Sequence, residues 1–250
     1  MTTMSTSKVR DDAPVQLAGA DVRPAEAGHA LAAQAFLQPI AAPSILGLYG
    51  FAGATFMVAA NLAGWYGGPT SSHFLFPFAA LFGGLAQFMA GMWAYRARDG
   101  LATAMHGMWG SFWMGYGLLN LLFTLGVLTP PAANGLFVEL GYWFVVLAVI
   151  TWTGTWIATA TSGALTGVLG FLAAGSTAAA IANLVASTGW ATLAGWLFII
   201  SAVIAWYTAT ALLAEGVFGH AVWPLFKTGR ARQAPAYAVG LGEPGVKHGQ

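Results

Sequence analysis

Five polar side chains lie inside long apolar stretches of this sequence, and their chemistry could serve a function there. They are three asparagines, one glutamine and one histidine: Asn61, Gln87, His106, Asn120 and Asn183. A polar group within a membrane is costly unless it is paired or faces water, so each is a candidate contact for a polar solute. Each could instead form a hydrogen bond between helices, which contributes about 0.6 kcal/mol.

Other chemistry finds little support in the residue types. The chain has no cysteine, which excludes disulfides, thiolate catalysis and cysteine-bound metal. The apolar part carries no paired acids, no HExxH pattern and no phosphate-binding loop, and its two acids, Glu139 and Glu215, fall near the ends of apolar stretches. We therefore expect no catalytic residue, no metal site, no cofactor and no enzymatic activity. No basic run indicates nucleic acid as a partner.

The composition predicts a protein embedded in a lipid bilayer. Charged residues make up 7% of the chain and apolar residues 58%, whereas a soluble domain carries about a quarter charged residues. None of the nine lysines and arginines lies between Arg98 and Lys227. That interval has room for about four membrane-spanning helices, and two more can precede Arg96.

Six apolar stretches hold the polar residues, and they predict an all-α integral membrane protein with six transmembrane helices. The predicted spans are 43–67, 74–95, 101–128, 136–157, 165–186 and 190–211. Six crossings bring the N-terminal tail, the basic loop 96–99 and the C-terminal tail to one face, and these three segments hold all nine cations. The positive-inside rule makes that face cytoplasmic, so both termini are predicted to be cytoplasmic.

The same pattern divides the chain into three parts. Residues 1–40 contain few large apolar side chains and are predicted to be a flexible cytoplasmic tail. Residues 41–224 form the six-helix transmembrane domain. Residues 225–250, with their proline, glycine and charge, are predicted to be a second flexible cytoplasmic tail.

Small and aromatic residues predict how two of the spans pack. Gly84 and Gly91 flank Gln87 on one helix face, which predicts a close helix crossing at that level. In the third span, a stripe of larger side chains lies opposite a ridge of small ones. Such a stripe usually packs against helices or lipid, but a ring at the depth of Trp109 could close a narrow pore without any charge. The stripe consists of Trp109, Trp113, Tyr116 and Asn120.

Five motifs resemble those of a known family, the acetate uptake transporters, also called succinate-acetate permeases. The family's signature at the start of the first span is matched by Pro43, Leu46, Gly47, Leu48, Gly50 and Phe51, but not by Ala42, Ser44 and Ile45. GGLAQFMAG (83–91) before a basic loop, GSFW (110–113), AGW (194–196), and Phe218 and Gly219 with a later proline add to the likeness. The resemblance covers roughly residues 42–224.

This resemblance implies a transport function and several residue roles. It implies six spans per subunit, a homo-hexamer with one pathway through each subunit, and movement of acetate, succinate and related short carboxylates, commonly described as proton-coupled. It also implies a hydrophobic constriction, which maps to Phe51, Leu172 and Trp109, the last in place of the family's tyrosine. Ala205 resembles a position linked to substrate size. Tryptophan adds bulk and removes the tyrosine oxygen, which should disfavour succinate relative to acetate.

The leading hypothesis is a multi-pass plasma (cell inner) membrane protein whose domain 41–224 moves acetate or a similar monocarboxylate across the lipid bilayer. The substrate pathway is predicted to include Asn61, Gln87, Asn183 and Ala205. Asn61, Asn183 and the Trp109 indole are candidate donors to a carboxylate. One alternative is a channel for a small neutral solute such as water, ammonia or urea. Another is a membrane scaffold or sensor that transports nothing.

Overall fold

The computed structural model describes residues 40–68, 70–130 and 135–228. Within these ranges the chain forms long helices and no β-strand, with one isolated bridge between Ser162 and Lys227. The helices, in chain order, are α1 (Ser44–Leu62), α2 (Ser71–Ala97), α3 (Gly100–Thr124), α4 (Val138–Ala158), α5 (Gly163–Leu184) and α6 (Thr188–Phe218). The prediction of an all-α fold is confirmed for the described residues.

Five of these helices are long and apolar enough to cross a membrane, namely α1, α2, α4, α5 and α6. The sequence predicted six such spans. The remaining helix, α3, has 25 residues, which is long enough to span, but its histidine, its asparagine and its many glycines and aromatic rings lower its hydropathy. Polar residues in a membrane helix face the protein interior or a cavity. Whether α3 can be a membrane span therefore depends on whether its polar side chains are buried.

The helices surround a common centre in the order of the sequence. Each packs against the next one along the chain, and α6 returns to pack against α1. Consecutive helices run in opposite directions, since the start of α1 lies beside the start of α3, where Ser44 Oγ is 3.3 Å from His106 Nε2. The start of α5 and the chain after α6 also meet, at the bridge between Ser162 and Lys227.

Side-chain caps fix where three helices begin. Asp99 accepts a hydrogen bond from the Ala102 backbone N–H at 2.9 Å at the start of α3. Serines do the same for α5 and α6, with Ser162 accepting from Leu165 and Ser187 from Trp190. A short polar side chain at this position satisfies a backbone N–H that has no partner within the helix. The three helices therefore begin one or two residues before the starts predicted from apolar runs.

The sixth helix continues well beyond the predicted end of its span. It runs to Phe218 and ends at Gly219, whose φ of 74° suits glycine. Glu215, predicted to lie past the helix, is therefore within it and pairs with Lys227 at 2.9 Å. The sequence prediction stopped α6 at Ala211 because hydropathy falls after that residue, while the helix itself extends until a glycine ends it.

The segment after α6 packs back onto the start of α5. Leu225 is buried, the Gly163 N–H donates to the Phe226 carbonyl at 2.9 Å, and the Thr228 N–H donates to Thr161 at 3.0 Å. Packing therefore extends past residue 224, where the tail was predicted to begin. The rest of the predicted C-terminal tail, and the N-terminal tail up to residue 39, lie outside the described residues.

Helix α2 contains a widened turn next to its crossing with α1 and α3. Residues Ala79–Ala86 are π-helical and follow Pro77, which has no N–H to donate. A side-chain carbon on Gly91 would lie 2.7 Å from the Gly107 backbone nitrogen, and one on Gly84 would lie 2.7 Å from Met114. These distances confirm the close helix crossing predicted around Gln87.

Candidate functional site

A large cavity and a small cavity lie between the described helices. The larger has a volume of about 560 Å³ and is lined by α1, α3, α4, α5 and α6, by the start of α2, and by the segments that precede α2 and α4. The smaller has a volume of about 40 Å³ and lies toward the end that carries Asp99 and the basic loop. The two cavities thus lie toward opposite ends of the helical domain.

The predicted constriction residues lie together between these cavities. Trp109 and Leu172 line both cavities, and Phe51 lines the smaller one. All three side chains are 2% exposed and belong to one buried cluster. The rings of Phe51 and Trp109 meet edge to face with 6.4 Å between their centroids, a favourable aromatic geometry. An apolar barrier with no ionisable side chain therefore separates the two cavities.

Three phenylalanine rings, called the aromatic collar below, line the large cavity next to this barrier. They are Phe112, Phe144 and Phe198. Phe112 lies 5.6 Å from the Trp109 ring centre and 5.5 Å from that of Phe144, which in turn lies 6.2 Å from Phe198. The α3 stripe faces the same space, since Trp113 and Tyr116 also line the large cavity. The stripe was expected to pack against helices or lipid. Trp109 and Trp113 do pack in buried clusters, and the same face also lines the cavity. Periodicity groups residues on one face but does not say what the face meets.

Four buried polar atoms on the cavity-lining residues have no hydrogen-bond partner among the residues that the structure describes. Thr55 Oγ1 and Trp113 Nε1 belong to the large cavity, while Gln87 Oε1 and His106 Nδ1 belong to the small one. A buried polar group without a partner costs free energy, and a solute or water in the adjoining cavity can supply the missing bond. Each side of the apolar barrier therefore presents a pair of unmet polar atoms.

Two predicted pathway asparagines line the large cavity, but their side chains already form hydrogen bonds within the protein. Asn61 donates to the Tyr66 carbonyl at 2.8 Å. Asn183 accepts from the Phe137 backbone N–H at 3.0 Å and donates to Ala179 at 2.8 Å. The Trp109 indole, the third predicted donor, is bonded to Thr151. Since these groups are engaged within the protein, the geometry offers a carboxylate less donor capacity at the barrier than the sequence suggested.

The remaining two predicted pathway residues occupy different positions. Gln87 is 3% exposed and lines the small cavity. Ala205 is fully buried in the main cluster and lines neither cavity. His106 is also buried and, like Gln87, lines the small cavity.

Sequence reasoning missed one residue at the barrier. Thr151 is fully buried in α4 and accepts the hydrogen bond from the Trp109 indole at 3.0 Å. The two residues are 42 positions apart, and threonine is common in membrane helices, so no local pattern signals the pairing. The collar residues Phe112, Phe144 and Phe198 were also missed, because they lie on three different helices, α3, α4 and α6.

Comparison with known proteins identifies the family. Residues 27–225 match the GPR1/FUN34/yaaH family. The chain belongs to this family. The succinate-acetate/proton symporter SatP of Escherichia coli strain K12 is 26% identical over 189 residues, which cover 74% of this chain and 95% of SatP. SatP of Escherichia coli O157:H7 and SatP of Shigella flexneri match to the same extent.

A solved structure of a related protein has the same fold as this chain. The structure of the bacterial acetate channel SatP matches with a TM-score of 0.68 and 24% sequence identity, covering 75% of this chain and 99% of that one. The relatives are transport proteins rather than enzymes. With its membrane-length apolar helices, the chain is a multi-pass membrane protein.

Proposed function

We propose that this protein moves acetate and related short monocarboxylates across the plasma membrane, through the large cavity, past the barrier of Phe51, Trp109 and Leu172, and into the small cavity. The observation that carries the proposal is that Trp109 and Leu172 line both cavities. The names of the relatives, a succinate-acetate/proton symporter and an acetate channel, support the same substrate class.

The barrier favours the neutral acid over its anion. A bare carboxylate loses its hydration on entering an apolar neck, which is very unfavourable without compensating donors. The Trp109 indole is already engaged, so little compensation is available there. An acid molecule that carries its own proton avoids this penalty, while its methyl group gains contact with Phe51 and Leu172. Proton-linked movement then follows from the protonation state of the solute.

The buried polar atoms that lack a partner on either side of the barrier provide binding positions for the acid group. Thr55 and Trp113 can meet the acid group before the barrier, and Gln87 and His106 can meet it afterwards. A neutral acid both donates and accepts a hydrogen bond, so it complements a site that combines an acceptor with a ring nitrogen. We infer that Gln87 lies on the pathway together with His106.

We propose further that α3 is the sixth membrane span and that both termini are cytoplasmic. Its polar side chains His106 and Asn120 are buried, so they face the protein rather than lipid. The described cations Arg96, Arg98 and Lys227 lie at the same end of the domain as the small cavity, and the positive-inside rule makes that end cytoplasmic.

We also propose a homo-oligomer, a hexamer in keeping with the family resemblance. Many large apolar side chains remain exposed on the isolated subunit, among them Leu81, Phe82 and Trp93. Lipid covers part of such a surface, and neighbouring subunits can cover the rest. Native mass spectrometry from mild detergent tests this assembly, and a purely monomeric protein would contradict it.

Uptake of labelled acetate into liposomes tests the proposed function. Purified protein is reconstituted, and initial rates are measured with and without an acidic exterior. Protein-free liposomes are measured in parallel, because acetic acid also crosses bare lipid. We expect saturable uptake above that background, with a higher rate under the inward proton gradient.

Two outcomes would contradict the proposal. Acetate uptake no faster than in protein-free liposomes would remove the transport function. Rapid urea or water flux that acetate neither saturates nor inhibits would favour a channel for neutral solutes.

A further inference from the structure

The Trp109 ring is tied to a neighbouring helix by a buried hydrogen bond. Its indole N–H in α3 donates to Thr151 Oγ1 in α4 at 3.0 Å. Trp109 is 2% exposed and Thr151 is fully buried. A hydrogen bond in such surroundings does not compete with water, so it constrains the ring more firmly than a surface contact would.

The threonine hydroxyl can act only as an acceptor toward this ring. Its own O–H donates to the Leu147 carbonyl at 2.6 Å, which uses the single proton of the hydroxyl. The lone pairs of Thr151 Oγ1 then face Trp109, whose indole nitrogen can donate but not accept. The two hydrogen bonds therefore form a chain in which Trp109 donates to Thr151 and Thr151 donates to Leu147.

The bond lies in the middle of a contact that runs between α3 and α4. On one side, a side-chain carbon on Gly154 would lie 2.5 Å from Met105 Sδ, so the thioether fills the space left by the glycine. On the other side, Phe112 and Phe144 have 5.5 Å between their ring centres. Trp109 lies between Met105 and Phe112 along α3, so the polar contact is flanked by apolar ones.

We propose that Thr151 is a positioning residue that fixes the orientation of the Trp109 ring in the barrier and thereby sets selection by solute size. The ring of Trp109 touches both cavities and Phe51, so rotating it changes the width of the barrier. A tryptophan without this acceptor must leave its N–H unpaired or turn it toward a cavity. The proposal deepens the proposed function and rests on it for the effect on flux.

The test compares initial uptake rates of acetate and succinate in liposomes for three variants at Thr151 and its neighbour. Thr151→Val keeps the shape but removes the acceptor, and Thr151→Ser keeps the hydroxyl. Thr155→Val is the matched control, since its hydroxyl donates to the Thr151 carbonyl one turn back along α4. We expect Thr151→Val to lower the acetate-to-succinate rate ratio about fivefold, with Thr151→Ser and Thr155→Val close to the wild type.

A double variant separates positioning from general structural damage. Trp109→Phe removes the indole donor, so adding Thr151→Val to it should leave the rate ratio of the single Trp109→Phe variant unchanged. An undiminished effect of Thr151→Val in that background would overturn the proposal. So would equal effects of Thr151→Val and Thr155→Val, or a Thr151→Ser variant that behaves like Thr151→Val.

A second readout needs no transported solute. The indole N–H resonance of Trp109 is assigned in detergent by its absence from Trp109→Phe. The chemical shift of this resonance should change in Thr151→Val and stay at the wild-type value in Thr155→Val. An unmoved resonance would refute the hydrogen bond even if acetate is transported. A moved resonance in a protein that takes up no acetate would support the bond and contradict the proposed function.

Discussion

Gly47 of α1 faces the imidazole of His106 of α3 so closely that a side-chain carbon at position 47 would lie 2.5 Å from the ring. The ring fills the space next to this glycine and contacts Ser44 one turn earlier on α1. The start of α1 and the start of α3 are thereby held together at the small cavity. Packing of this kind tolerates added volume poorly.

Gly47→Ala should destabilise the protein because its methyl group overlaps the buried His106 ring. Overpacking costs about 1–3 kcal/mol, and we expect a melting temperature in detergent about 5 °C lower than that of the wild type. His106→Ala removes the ring and should largely abolish the cost of Gly47→Ala when the two are combined. If the loss of stability in the double variant equals the sum of the losses in the two single variants, the steric explanation is wrong.

Gly50→Ala should be more damaging than Gly47→Ala. Its side-chain carbon would overlap the backbone carbonyl of Phe82 in the π-helical part of α2, and a backbone atom cannot move aside as a side chain can. Gly107→Ala is the control, because a side-chain carbon there meets nothing within 4 Å. Melting temperatures that rank Gly50→Ala as the least stable support this packing, whereas equal values for Gly50→Ala and Gly107→Ala would contradict it.

Asn183→Leu should destabilise the start of α4 rather than act on solute binding alone. The substitution leaves the Phe137 N–H without the acceptor that now lies 3.0 Å away, which costs about 1–3 kcal/mol. Asn120→Leu is the matched control, because the Asn120 side chain also lines the large cavity but donates to the Tyr116 carbonyl within its own helix. Hydrogen exchange at the start of α4 should accelerate in Asn183→Leu and not in Asn120→Leu. Unchanged exchange in both would reject this role for Asn183.

Much of the fold and part of the barrier could be predicted from the sequence. The scarcity of charge identified a membrane protein, and apolar runs located each helix to within a few residues at most ends. The family resemblance pointed to Phe51, Trp109 and Leu172, which the structure brings into one buried cluster. Small residues around Gln87 correctly predicted a close helix crossing.

Contacts between distant positions could not be predicted in the same way. The bond between Trp109 and Thr151 depends on how α3 and α4 are rotated about their axes, and no local pattern encodes that rotation. The engagement of Asn183 with Phe137 likewise depends on a loop returning to α5. Hydropathy also placed the end of α6 too early, because it measures apolar length and not the point at which a helix stops.

The ratio of acetate to succinate uptake in wild type and Trp109→Tyr tests the central claim most directly. The claim is that the ring at position 109 limits the size of the acid that passes between the two cavities. Trp113→Tyr is the matched control, since Trp113 lines the large cavity but not the small one, and the tyrosine hydroxyl keeps a hydrogen-bond donor for the acid group there. In liposomes we expect wild type to favour acetate and Trp109→Tyr to lower that preference about tenfold, with Trp113→Tyr near the wild-type ratio. An unchanged ratio in Trp109→Tyr, or an equal change in Trp113→Tyr, would contradict the claim.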